Sequence, residues 1–134
     1  MSTLEVLTVA IIAYFTTGIA LTGYDFSAPP MQKKMYVINQ NYKMAVLTWF
    51  TWPISSIFDA YQEQKIGRNG IRFFLGVVLL TAGMFFWGKL VFNVSERLFG
   101  IYWASTAITV ILLLISAPII TAIAMPNHAR NPNK

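Results

Sequence analysis

The stretch from Ile71 to Met125 sets the limits on what this chain can fold into. It holds two long apolar segments separated by a short polar interruption. The only charges in Ile71–Phe92 are Arg72 at its start and Lys89 near its end, and Leu98–Ala124 carries none. A bilayer core of roughly 30 Å is crossed by about 20 apolar residues in α-helix, which each segment supplies. In hydrocarbon every backbone N–H and C=O has to be paired within its own segment, so both are predicted to be helices, joined as a transmembrane hairpin.

The rest of the chain offers no soluble alternative. Of its 134 residues 56% are hydrophobic and 11% charged, where a soluble domain carries about 25% charged residues. The longest non-apolar stretch, Thr22 to Lys43, is too short to bury a core of its own. The sequence therefore predicts a single membrane domain over residues 1–134.

Leu4–Thr22 is the other clear span, with Glu5 as its one charge. A carboxylate there stays in the interface and favours a helix N-terminus. No basic region precedes the apolar run, so a retained helix is expected rather than a cleaved signal peptide. Thr16, Thr17 and Gly18 form a small, weakly polar patch, suited either to close helix approach or to hydroxyls bonding their own backbone. Tyr24 and Phe26 fit an interfacial aromatic belt. Pro29 and Pro30 end any helix.

Residues 44–60 are ambiguous. The apolar run is short for a span and is interrupted by Pro53. At helical spacing Thr48, Thr51, Ser55 and Asp59 make a polar stripe opposite an apolar surface. One reading is a Pro-broken helix that lies in the interface or re-enters the membrane; the other is a fourth full span. Loop charges separate them, because cytoplasmic loops collect Lys and Arg. With three spans, one side holds Lys33, Lys34, Lys43, Lys65, Arg68, Arg72, Arg130 and Lys134, and the other only Lys89 and Arg97. With four spans the ten cations divide five and five. The expected fold is therefore an all-α integral membrane protein with three transmembrane helices, at about 4–22, 71–92 and 98–125, plus a Pro-broken interfacial or re-entrant helix. Four transmembrane helices are the alternative.

Within this frame a few residues stand out. Lys65, Arg68 and Arg72 cluster around an Asn69-Gly70 turn signal, a pattern that attracts anionic lipid headgroups or an acidic partner loop. Gly76 and Gly83, seven residues apart, share a helix face, and Gly100, Ala104 and Ala107 offer small residues on the next helix. Both sets are expected to be helix-packing faces. Asn93 and Glu96 match a variant of the capping box, which predicts that the hairpin turns at Asn93–Glu96. Pro118 is expected to kink the last helix, and residues 126–134 read as a polar tail.

Chemistry is constrained by what is missing. There are no cysteines, which excludes disulfides, Cys-ligated zinc, iron–sulfur clusters and thiol catalysis by this chain alone. One histidine, His128, rules out a His pair within one copy, and the six methionines are dispersed. The three clear spans carry no Asp, Glu, His, Lys or Arg near their midplanes, where proton relays and ion paths keep theirs. No catalytic, cofactor-binding or metal residue is expected, and the chain is not expected to be an enzyme by itself. The net charge of +5 reports topology and attraction to phospholipid rather than nucleic-acid binding. The expectation is a small accessory or structural subunit of a larger integral membrane complex, of respiratory, photosynthetic or membrane-oxygenase type. It would pack against other membrane subunits and lipid, with pigment or quinone at shared surfaces left open. The expected location is a bacterial inner membrane, with the C-terminus cytoplasmic. A self-associating pore or carrier, or an assembly or regulatory factor, is the alternative.

Overall fold

The structure, a computed structural model, describes residues 3–26, 42–65 and 70–125. These form four helices: α1 (Thr3–Phe26), α2 (Tyr42–Lys65), α3 (Gly70–Phe99) and α4 (Tyr102–Ala124). Three of them, α1, α3 and α4, are long and apolar enough to cross a membrane; α2 is not among them. The tail beyond residue 125 lies outside the described residues, as do Arg68 and His128.

The helices α1, α3 and α4 form an alternating bundle. At one end, the rings of Tyr24 and Phe73 meet at 6.3 Å, which brings the last turn of α1 to the first turn of α3. Toward the other end, Val9 of α1 comes up against Gly88 of α3. The two helices are thus antiparallel. α4 runs back along α3: Phe92 meets Tyr102 near the turn, Gly83 faces Ile120 midway, and Gly76 faces Ala124 and Met125 at the far end. α1 also touches α4, through a hydrogen bond between the hydroxyls of Thr8 and Tyr102.

The hairpin turn does not fall at Asn93–Glu96. α3 continues through these residues to Phe99, and the chain reverses at Gly100 and Ile101. Gly100 adopts φ +67°, a left-handed conformation open to glycine at no steric cost. Its N–H donates to the carbonyl of Glu96 at 2.8 Å, the αL cap that ends helices after a glycine. The Asn93 capping signal is overridden because Phe92 and Ser95 are buried; the apolar ladder of α3 persists for another turn and stopping at Asn93 would expose it.

α2 corrects the expectation of a Pro-broken segment. The helix is continuous through Pro53 over 24 residues. Pro53 has no N–H, so the Trp49 carbonyl four residues before it lacks its helical donor. α1 crosses beside this position. A Cβ on Gly18 would lie 2.7 Å from both the Cα and the carbonyl oxygen of Trp49, so only glycine lets the two backbones approach at this crossing. The Tyr14 hydroxyl donates to the next carbonyl, that of Phe50. In return, Trp52 Nε1 donates to the Tyr14 carbonyl at 2.8 Å.

The two ends of α2 meet the end of α1 and the start of α3. Tyr42 stacks on Phe26, the last residue of α1. Ala60 and Gln64 abut Gly70, the first residue of α3, whose N–H donates to Gln64 Oε1 at 3.1 Å. Between them, Trp49 to Trp52 reach Tyr14 and Gly18. Tyr14 lies 12 residues from Phe26, about 18 Å along the helix axis at about 1.5 Å per residue.

Replacing Gly18 by leucine drives a side chain into the Trp49 backbone, an overpacking worth about 3 kcal/mol. Gly18→Leu is expected to lower the thermal midpoint in detergent by several degrees. Gly23, whose Cβ would meet nothing within 4 Å, is the control, and Gly23→Leu should leave the midpoint unchanged or raise it. Equal effects of the two would contradict the close crossing.

Candidate functional site

An apolar cleft of about 660 Å³ lies between α1, α2 and α3. Ala10, Ala13 and Tyr14 line it from α1, and Trp52, Pro53, Ser56 and Ile57 from α2. The α3 wall runs from Phe74 through Val77, Val78, Thr81 and Ala82 to Phe85. α2 is held to α1 at Trp49–Trp52 and to α3 near Gly70. The small side chains of Ala10, Ala13 and Ala82 leave the space between unfilled.

Polar atoms around the cleft are mostly spent on backbone. Thr81 Oγ1 donates to the Val77 carbonyl at 2.8 Å, and the Tyr14 and Trp52 donors bridge α1 and α2. The same economy holds elsewhere. Thr48 and Thr51 donate to the carbonyls of Met44 and Leu47 at 2.8 and 3.0 Å, so two hydroxyls of the polar stripe on α2 are turned into their own helix. Among the described residues two buried side-chain polar atoms have no partner, Thr17 Oγ1 on α1 and Trp49 Nε1 on α2. Among the described residues no group of three or more His, Cys, Asp or Glu could hold a metal ion.

The residues singled out in the sequence fall in separate places. Lys65 is exposed in the last turn of α2. Arg72 is half-buried and donates from Nη1 to the Ala124 carbonyl at 3.0 Å, where a cation complements a helix C-terminus. Gly76 makes room for this contact: a Cβ there would lie 3.0 Å from the Ala124 oxygen and 3.1 Å from Arg72 Nη1. Gly83 faces Ile120 of α4 at 3.3 Å on the same measure.

The small residues of α4 divide differently from the expectation. Gly100 is in the turn and a Cβ there would touch nothing, so its role is conformational. Ala104 is half-buried and Ala107 is exposed. The inner face is instead Ser105, Thr109, Leu113, Ala117 and Thr121, an unbroken four-residue repeat that turns Ala107 outward. Its hydroxyls are bonded to carbonyls one turn back, Thr109 to Ser105 at 2.7 Å and Thr121 to Ala117 at 2.6 Å. Small size with no unmet donor is what a tight helix contact in lipid requires. Gly88, packed between Leu113 and Val9, was also not singled out. Nor was Asp25, 9% exposed in the last turn of α1; its position after the aromatic exit of the first span was the available signal.

Comparison with protein-family models, with curated proteins and with solved structures finds no match for this chain.

Tyr14→Phe removes the donor that reaches the Phe50 carbonyl beside the proline. A hydrogen bond between helices in a membrane is worth about 1 kcal/mol, and Tyr14→Phe is expected to cost about that much in unfolding titrations with a denaturing detergent. Thr51→Val, which deletes a bond local to α2, should cost less. The reverse order would contradict the bridging role of Tyr14.

Proposed function

We propose that this chain is a small accessory subunit of a larger integral membrane complex, packing against core subunits and lipid. The supporting observation is the distribution of burial. α1 has the largest buried share of the three apolar helices and α4 the smallest. α1 serves as the internal post, while α4 touches α1 and α3 and leaves most of its circumference outward, including Ile115, Ile119 and Ile123. The polar side chains of the spans mostly bond their own helices, leaving the outward surface suited to being packed against.

In this reading α2 is a re-entrant helix. Support comes from parity: α1 and α3 are consecutive spans in opposite directions, so the end of α1 and the start of α3 share a side. An element between them that crossed once would make the two parallel. The neighbours of Tyr42 and of Ala60 and Gln64, and the eight-to-two distribution of Lys and Arg expected for three crossings, favour the same arrangement. The cation-rich side is then cytoplasmic, together with the C-terminus, and the membrane is a bacterial inner membrane. The cationic positions Lys65, Arg68 and Arg72 border this side, where anionic headgroups are found.

Extraction from native membranes in mild detergent, followed by native mass measurement, tests the subunit reading. The 15.1 kDa chain is expected in an assembly with larger membrane proteins at fixed stoichiometry. Recovery solely as monomer or self-oligomer would overturn it. Topology has a separate test, because the chain contains no native thiol. Single cysteines at Ser27 and Asn127 should react with an impermeant reagent from the same side, and one at Arg97 from the opposite side. Labelling of Ser27→Cys and Asn127→Cys from opposite faces would exclude three crossings.

A further inference from the structure

We propose that the cleft between α1, α2 and α3 holds an acyl chain of an anionic phospholipid whose headgroup sits above the ends of α2. The inference rests on the re-entrant reading of α2 and adds a ligand to it.

Three observations carry it. The first is the chemistry of the lining. Ala13, Pro53, Ile57, Val78 and Phe85 present hydrocarbon, the Thr81 hydroxyl is bonded to its own helix, and Ser56, the other hydroxyl in the lining besides Tyr14, is buried at 4% exposure. A polar ligand group placed there would lose its water without gaining a partner. The occupant is hydrocarbon, and an empty cleft would deprive its lining of dispersion contacts that a chain from the surrounding bilayer restores.

The second is size. At about 660 Å³ the cleft lies within the range of about 300–1,000 Å³ typical of sites for small ligands. A helix about 10 Å across fills roughly 120 Å³ per residue, so the cleft would take only about a turn and a half of one. That volume is small for a partner's helix and suits a hydrocarbon chain.

The third is charge at the mouth. Lys43 and Lys65, in the first and last turns of α2, are exposed. Asp25 is buried and Asp59 and Arg72 are half-buried, so among the side chains described there the exposed charges are cations. Phe74, at the upper edge of the cleft, is two residues from Arg72 and four from Gly70, which abuts Gln64. A headgroup at the level of α2's ends and a chain running down between Phe74 and Phe85 fit one molecule.

Trp52 lines the cleft and is 7% exposed, whereas Trp103 is 78% exposed. Each can be made the sole tryptophan by replacing the other three with phenylalanine, and quenching by lipids brominated on the acyl chain then reports chain contact. Vesicles are prepared with brominated phosphatidylglycerol or phosphatidylcholine in an unlabelled background. Trp103 should be quenched by either lipid. Trp52 should be quenched as well, with half-effect at a phosphatidylglycerol fraction at least fivefold below that for phosphatidylcholine, about the factor expected for one lysine at an anionic surface. Ala82→Phe, which puts a ring into the α3 wall of the cleft, should weaken the effect at Trp52 and spare Trp103.

Trp103 quenched with Trp52 unaffected would overturn the proposal and leave membrane residence intact. Equal response of Trp52 to both lipids would overturn the anionic headgroup. Failure at both tryptophans would remove the membrane reading itself. Native mass measurement of the chain with all tryptophans retained gives a check free of those substitutions: one phosphatidylglycerol should remain bound, and be retained less in Ala82→Phe. Equal retention by the two chains would contradict occupancy of the cleft.

Discussion

Hydrocarbon offers no hydrogen bonds, so the polar groups of a membrane helix have to pair within the protein. A proline inside a helix leaves a carbonyl without its donor, and in α2 that proline, Pro53, lies beside the crossing with α1. Gly18 permits backbone contact at Trp49, Tyr14 donates to Phe50, and Trp52 donates back to Tyr14. The proline does not break α2, and the helix is held to one neighbour beside it. The cleft lies beside this contact, and α3 holds the helix near Gly70.

The remaining contacts follow the same rule. Threonine and serine occupy inner faces because their hydroxyls can bond a carbonyl one turn back and then behave as small side chains. Thr16, Thr22, Thr109 and Thr121 all do so. The seam between α3 and α4 is built from such residues and from Gly76, Gly83 and Gly88. Larger apolar side chains, among them Leu79, Leu90, Ile111 and Ile119, point outward, the reverse of a soluble bundle and natural where the solvent is itself apolar. Helix association here depends on close packing rather than on removal of apolar surface from water.

Much of this was legible in the residues. The three apolar helices were, because length and uniform hydropathy are strong signals; the first runs to Phe26 rather than Thr22, and the second to Phe99 rather than Phe92. Boundaries were harder, since Asn93 and Glu96 carry a cap signal that burial of Phe92 and Ser95 overrides. Proline suggested a break in α2 because the Gly18 and Tyr14 contacts that accommodate it are long-range. Ala107 looked equivalent to Ser105 by size alone, and only the four-residue repeat through Thr121 distinguishes the inner face. The cleft left no motif: Ala10, Ala13 and Ala82 are ordinary apolar positions in a sequence, and the volume they leave is a property of three helices together.

We propose that α2 enters the membrane and returns to the side it came from, held against α1 at Trp49–Trp52 beside Pro53. A depth profile along α2 addresses it most directly. Spin labels placed singly from Lys43 to Lys65 in lipid vesicles report depth through relaxation by lipid-soluble oxygen against a water-soluble nickel complex. The account predicts shallow labels at both ends and the deepest near Pro53. A depth that changes steadily from one end of the helix to the other would contradict it.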